Sequence, residues 1–194
     1  MAITPKILAF AGSLREDSLN KKVLQVAAEG ARAAGAEVTI ADLRDFDMPI
    51  YNVDDQERDG FPPNAVRFQD LLLEHNGLLI SSPEYNGSLP GGMKNIIDWV
   101  SRRRDAEQKM YAAFNNKVAG IMSASPGSFG GLRCLSHLRG VLTIATVHIV
   151  PLEISVTFAD QKFDGDAMTD EKTKKLLENL GASVADTIRK LGAE

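Results

Sequence analysis

Five short apolar runs alternate with stretches of helical spacing, and this alternation constrains the chain more than any other feature. Ile7-Leu8-Ala9-Phe10-Ala11 ends at Gly12; Gly77-Leu78-Leu79-Ile80 ends at two serines; Lys117-Val118-Ala119-Gly120-Ile121-Met122 ends in another small-residue stretch. Short apolar runs bounded by turn-formers read as strands buried on both faces. Glu37–Leu43 reads as a further strand with Val38, Ile40 and Leu43 inward, and Ala145–Val150 as a fifth, ended by Pro151. Between them lie helical patterns. From Asn20, the residues Val23, Leu24, Ala27, Ala28, Ala31 and Ala34 form a stripe suited to a sheet, and Gly35 is placed to stop the helix. Ala65–Glu74, the segment through Ile96, Ile97, Trp99 and Val100, and Leu132–Leu142 follow. A terminal helix over Asp170–Leu191 carries Leu176, Leu177, Leu180, Val184 and Ile188 on one face, whereas Asp45–Asn64, rich in Asp, Pro and Gly, reads as a long loop.

Strand and helix in turn predict an open parallel sheet with helices on both faces, and right-handed crossovers make it doubly wound. With 194 residues, no internal repeat and no low-complexity stretch, residues 1–194 read as one α/β domain with a full core. The net charge of −4 argues against a chain-wide nucleic-acid surface. Cys134 is the only cysteine, which excludes an intrachain disulfide and suits a reducing compartment. No apolar run approaches the ~18 residues of a membrane span, and the N-terminus does not resemble a signal peptide. A cytoplasmic protein without nucleic-acid or membrane partners is expected. His75, His137, His148 and Cys134 lack metal-ligand spacing, so no metal is expected, and the acidic stretch Asp54–Asp59 reads as a solvated loop.

In doubly wound sheets ligands bind beyond the carboxyl ends of the strands, where the strand order reverses. After the first strand comes Gly12-Ser13-Leu14-Arg15-Glu16-Asp17-Ser18-Leu19-Asn20. Short hydrogen-bonding side chains beside a helix start, where backbone N–H groups are unpaired, favour an anion. Arg15 adds a charge able to grip phosphate in bidentate fashion. Ser18 or Asn20 can equally cap the helix, and both roles stand. No Gly-x-x-x-x-Gly-Lys-Ser/Thr and no Gly-x-Gly-x-x-Gly follows this strand, which weakens a nucleoside triphosphatase and an ordinary dinucleotide fold. A terminal monophosphate suits the cradle better. After the third strand, Ser82-Pro83-Glu84-Tyr85-Asn86-Gly87 combines a stiff Pro with a turn dipeptide. Such a loop offers backbone donors and acceptors to the edge of a planar heterocycle, with Tyr85 beside it. After the fourth strand, the small residues from Ser123 to Gly131 form a second loop able to meet a ring edge; it lacks the Gly-x-Ser-x-Gly elbow of a hydrolase.

Taken together, these residues resemble the NADPH-dependent FMN reductase family. The resemblance rests on Gly12-Ser13-Leu14-Arg15 with Ser18 and Asn20, then Pro49-Ile50-Tyr51-Asn52, then Ser82-Pro83-Glu84-Tyr85-Asn86 with Pro90-Gly91 and Lys94-Asn95-Ile96-Ile97-Asp98-Trp99, then Gly130-Gly131 with Arg133 and Leu138-Arg139. Bacterial members include quinone, chromate and azo-dye reductases of flavodoxin-like fold. The resemblance implies a three-layer sandwich around a sheet in the order 2-1-3-4-5, with bound FMN. It places the FMN phosphate on Ser13, Arg15, Ser18 and Asn20, with Leu19 among the cofactor-binding positions. The isoalloxazine ring falls against Pro83, Glu84, Tyr85 and Asn86, with further contacts from Ala124 and Ser125. It also implies homodimers or homotetramers. The segment Arg103–Asn116 is longer and more charged than the family pattern.

The implied activity is hydride transfer from NADPH or NADH through FMN to quinones or other acceptors (chromate, azo dyes, ferric complexes) in a ping-pong cycle. The chain need supply no catalytic acid, base or nucleophile, because the cofactor carries the chemistry. Arg102, in the run Arg102-Arg103-Arg104, is either part of a solvated face or an attractor of an anionic substrate. Two rivals share the scaffold. An electron carrier would bind FMN without using nicotinamide. A phospho-receiver would need an Asp where this chain has Ser81 and Ser82.

Overall fold

Alternation along the first strand sets the layers. In β1 (Lys6–Ala11), Ile7, Ala9 and Ala11 join one apolar cluster and Leu8 and Phe10 the other, all buried. The computed structural model describes residues 3–192. The chain continues through α1 (Leu19–Ala33), β2 (Glu37–Asp42), α2 (Val53–Asp59), α3 (Pro63–Glu74), β3 (Gly77–Ser81), α4 (Gly91–Val100), β4 (Val118–Ala124), α5 (Leu132–Ile144), β5 (His148–Val156), a short antiparallel pair β6 (Phe163–Asp164) and β7 (Ala167–Met168), and α6 (Glu171–Leu191). The five long strands pair in parallel in the order β2-β1-β3-β4-β5. This is the flavodoxin-like order expected from the resemblance.

The amphipathic stripes explain which helix covers which face. Val23, Leu24, Ala27 and Ala31 of α1 and Leu177, Leu180, Val184 and Ile188 of α6 close one face. Phe68 and Leu72 of α3, Ile96, Ile97 and Val100 of α4, and Leu135, Leu138 and Leu142 of α5 close the other. Phe68 meets Phe10 and Phe46 edge-on, with ring centroids 5.3 and 5.0 Å apart, an arrangement the ring quadrupoles favour. Gly35, at φ +81°, follows the α1 C-cap as expected.

Several expected boundaries move, each for a physical reason. Asp45–Asn64 is not all loop. It contains α2, which buries none of its residues and so leaves no apolar period to read. Its signals are polar: Asn52 caps it by accepting from the Asp54 N–H, Asp54 and Asp55 sit in the first turn, and Arg58 in the last. Ile40 is 37% exposed and Ala41 faces the core, because β2 is an edge strand. Leu176 is likewise 41% exposed, at the border of the α6 stripe. β4 extends to Ala124. β5 runs through Pro151 to Val156; Val150, Pro151 and Leu152 lie opposite Gly120 alone, between the pairs Ala119–Ile149 and Ile121–Glu153. A bulge on an edge strand tolerates a residue without an N–H.

Lys117, just before β4, is only 5% exposed and donates from Nζ to the His75 carbonyl. Burial pulls its pKa down to about 8. An unfolded lysine keeps its proton to about pH 10.4. Between the two values the unfolded state binds more protons, so stability rises with pH; below pH 8 both states are protonated and the contribution is constant. The rise should reach roughly 3 kcal/mol at most, at 1.36 kcal/mol per pKa unit. Denaturant titrations at pH 7.5 and 10 should show it in the native chain and not in Lys117→Met; parallel curves for the two proteins would refute it. No helix among the described residues is long and apolar enough to cross a membrane.

Candidate functional site

The strand order reverses at β1, and the loops leaving β1, β3 and β4 converge there. Between them lies a crevice of about 140 Å³. Its first wall is the loop into α1, with Ser13, Arg15, Ser18, Leu19 and Asn20. Ser18 is the α1 N-cap, in extended conformation, its Oγ accepting from the Lys21 N–H at 3.4 Å. Ser13 Oγ accepts from the Arg15 N–H at 3.3 Å. Arg15 is exposed and, among the described residues, has no ion-pair partner. A fixed cation, two hydroxyls and the start of a fifteen-residue helix therefore meet at one end of the crevice.

Asn20 is buried, and it does more than the sequence indicates. Its Oδ1 accepts from the Ala124 N–H at 3.0 Å and from the Ser81 hydroxyl at 2.9 Å. Its Nδ2 donates to the Ala124 carbonyl at 2.9 Å. One amide side chain thus ties the first turn of α1 to the ends of β3 and β4. A planar amide has two N–H donors, so one is left for a group in the crevice.

The second wall carries Pro83, Glu84 and Tyr85. Tyr85 and Ser88 exchange backbone hydrogen bonds at 3.0 and 3.1 Å around Asn86 (φ 51°) and Gly87 (φ 77°). Two positive φ angles in a two-residue turn are what Asn-Gly supplies. The tight turn leaves Tyr85 half exposed at the crevice mouth. Asn86 occupies the turn and does not line the crevice.

Glu84 is the residue whose partner was least apparent from sequence. Its Oε2 accepts the N–H groups of Arg133 and Cys134 at 3.0 and 3.2 Å. Its Oε1 faces the Arg133 guanidinium, 2.8 Å from Nε and 2.5 Å from Nη2. It therefore caps α5, whose own N-cap, Gly131, has no side chain to offer. Burial alone would lift the Glu84 pKa; the Arg133 guanidinium and the two N–H groups outweigh it and hold the carboxyl below its ordinary value. Gly131 has φ +85°, and a Cβ there would lie 1.8 Å from Ser123 Oγ. Only glycine lets the loop lie on β4. Burial pushes the Cys134 thiol up, so Cys134 packs rather than reacts.

Ala124 and Ser125 form the third wall with Pro126, a residue the sequence did not single out. Ser125 exchanges backbone hydrogen bonds with the end of β5 and the residues beyond it, accepting from Ala159 at 3.0 Å and donating to Val156 at 3.1 Å. Arg102 lies elsewhere. Its guanidinium stacks 4.9 Å over the Tyr51 ring, on a groove shared with Arg103 and Arg104. Pro49–Asn52 and Asn95–Trp99 support each other rather than lining the crevice: the Pro49 carbonyl accepts from Trp99 Nε1 at 2.8 Å and Asn95 Nδ2 at 2.9 Å. A larger hollow of about 430 Å³ adjoins the crevice and shares Ser18. Its two lysines are already paired, Lys22 with Asp17 and Asp166 and Lys21 with Asp42, so it offers less to an anion. Among the described residues no cluster of His, Cys, Asp and Glu could hold a metal ion.

A family model described as NADPH-dependent FMN reductase matches residues 5–161. The NAD(P)H-dependent FMN reductase PA1204 of Pseudomonas aeruginosa is 36% identical over 190 residues, 96% of each chain. A quinone reductase of Escherichia coli K12 is 34% identical over 137 residues, covering 71% of this chain and 69% of that one. The structure of FerB from Paracoccus denitrificans, a flavoenzyme NAD(P)H:(acceptor) oxidoreductase, superposes with a TM-score of 0.80 at 30% identity, covering 96% of this chain and 98% of the other.

Proposed function

Because the chain belongs to the NADPH-dependent FMN reductase family, and is an oxidoreductase that uses FMN with NAD(P)H, we propose that it reduces quinones and similar small acceptors in a ping-pong cycle. One observation carries this reading: a phosphate cradle and a ring-edge loop open onto the same narrow crevice at the switch point of the sheet.

The residues present fit FMN. At one end every free group is a donor or a cation: Arg15, the Ser13 and Ser18 hydroxyls, and the remaining Asn20 N–H. That set suits a phosphate dianion. At the other end Pro83, Glu84 and Tyr85 supply backbone groups and an aromatic face to a planar ring, with Ala124 and Ser125 on the far side. When bound, FMN supplies the redox chemistry, accepting reducing equivalents from NAD(P)H and releasing them to the acceptor. The chain's own part is to hold the phosphate, fix the plane of the ring and leave one face open at Tyr85. A nicotinamide and a flat acceptor would use that face in turn, which supports a ping-pong order and a broad acceptor range including quinones, chromate, azo dyes and ferric complexes. Asn86 would act by shaping the turn, and the placement of Arg102 favours a role away from the ring. We infer one FMN-binding domain over residues 1–194, acting as a homodimer or homotetramer in the cytoplasm; the lone buried cysteine suits that compartment.

The decisive experiment is an absorbance spectrum of the purified protein before and after anaerobic NADPH or NADH. A flavin spectrum that bleaches is expected. A colourless protein that neither takes up FMN nor oxidises either nucleotide would sink the proposal, and FMN uptake without rapid NADPH oxidation would indicate an electron carrier. Within the cradle, Arg15→Ala should weaken FMN binding roughly 10- to 100-fold, since a hydrogen bond to a charged group contributes about 1.5–3 kcal/mol. The difference should shrink as salt rises. The melting temperature of the apoprotein should barely change, because Arg15 is exposed. Fluorescence titration of FMN at low and high salt checks both.

A further inference from the structure

Glu84 stands between two charged features. On one side is the α5 N-terminus, where the N–H groups of Arg133 and Cys134 point at its Oε2. On the other is the crevice, which Glu84 lines and Arg133 does not. The Glu84 side chain is 10% exposed and the Arg133 side chain 61%. The Arg133 guanidinium leans out over the Phe129 ring at 5.1 Å. Water therefore screens the cation strongly, while the carboxylate acts on the crevice through low-dielectric surroundings. The two charges are therefore screened unequally, the cation more than the carboxylate.

We propose that Glu84 is a positioning residue that locks the ring loop to α5 and that its charge lowers the reduction potential of bound FMN. The proposal rests on FMN occupying this crevice, as inferred above. Two consequences follow from one side chain. The four donor contacts on its carboxylate fix the height of Pro83 and Tyr85 relative to β4. A fixed anion beside the ring opposes the addition of electrons to it. Its ionisation is secured by the helix end and Arg133.

Glu84→Gln keeps the shape and one carbonyl acceptor for the α5 N–H groups but removes the charge. Arg133→Gln removes the exposed counter-charge and leaves Glu84 in place. Anaerobic titration of the FMN-loaded proteins against a reference dye should move the midpoint up in Glu84→Gln and down in Arg133→Gln. Each shift should be on the order of tenfold in the reduced-to-oxidised ratio at a fixed dye ratio, about 30 mV for a two-electron couple. Opposite shifts from two variants of one ion pair are not what a purely structural role produces. Unmoved midpoints, or shifts of the same sign, in a protein that does take up FMN would overturn this inference alone. A native protein that takes up no FMN would overturn the proposed function and this inference with it. Arg133→Gln removes the two guanidinium contacts and leaves the α5 N–H groups on Glu84; should Glu84→Gln fold poorly, Glu84→Asn removes the same charge, and its midpoint should also rise.

Discussion

Asn20→Ala is expected to lower stability by about 4 kcal/mol and to impair FMN binding in the same stroke. Truncation removes three hydrogen bonds and strands three buried groups beneath the crevice: the Ala124 N–H, the Ala124 carbonyl and the Ser81 hydroxyl. Each buried group left unpaired costs about 1–3 kcal/mol, and the new space admits water to only part of them. For a chain of this size, 1 kcal/mol corresponds to roughly 2–4 °C, so the melting temperature should fall by about 8–16 °C. Asn20→Asp separates the two roles. Its carboxylate still accepts from the Ala124 N–H and the Ser81 hydroxyl, but it cannot donate to Ala124 and it places a negative charge beside the proposed phosphate cradle. Its loss of FMN affinity should therefore exceed that of Asn20→Ala while its loss of stability is smaller. Thermal melts and FMN titrations on both variants measure this. A melting temperature for Asn20→Ala within 3 °C of the native value would show that Asn20 is not the clamp described, by the same conversion (roughly 2–4 °C per kcal/mol).

Gly181→Val should be at least as damaging, and at a distance from the crevice. α1 and α6 meet backbone to backbone. A Cβ at Gly181 would lie 1.9 Å from the Ala27 carbonyl oxygen and 2.7 Å from the Ala31 nitrogen. The facing Gly30 is equally tight, its Cβ position falling 2.1 Å from the Glu178 carbonyl oxygen. Neither obstacle is a side chain that can swing away. On an exposed helix, replacing glycine by alanine gains about 1 kcal/mol of propensity. Here even Gly181→Ala should destabilise, because the helices must part, and overpacking of this kind costs about 1–3 kcal/mol or more. Gly181→Val adds two methyl groups and should exceed 3 kcal/mol by the same reasoning. Urea unfolding of the two variants is the measurement; a midpoint for Gly181→Ala at or above the native one would contradict backbone-to-backbone packing.

Much of the fold was legible because strands and amphipathic helices announce themselves by period. Ile7–Ala11 is an unbroken apolar run and Val23–Ala31 carries apolar residues three to four apart, and both fall where the pattern put them. α2 escaped because it has no buried side and therefore no period; its polar end signals, Asn52 at the N-cap and Arg58 in the last turn, were all that was available. The extent of β5 escaped because Pro151 ordinarily ends a strand, and only the bulge opposite Gly120 on an outer strand makes it harmless. Ten of the twelve candidate residues line the crevice, while Asn86 shapes the turn beside it and Arg102 stacks on Tyr51 in a separate groove. For Arg102 the charge run gave no direction, since sequence neighbours past a helix end can turn to any side.

Local chemistry by itself determined where strands, helices and the three small-residue loops lie, because hydrophobic period, glycine and proline act over a few residues. It also raises the expectation that one loop favours an anion and another a flat ring. Tertiary structure alone decided that Asn20 clamps Ala124, 104 residues away, and that Glu84 caps a helix whose Arg133 is 49 residues away. Such pairs leave no trace in local pattern. A polar side chain near a loop has the same propensity whether it faces a ligand, a helix end or water. Which of these it meets depends on which strands lie side by side, and here β1, β3 and β4 are neighbours.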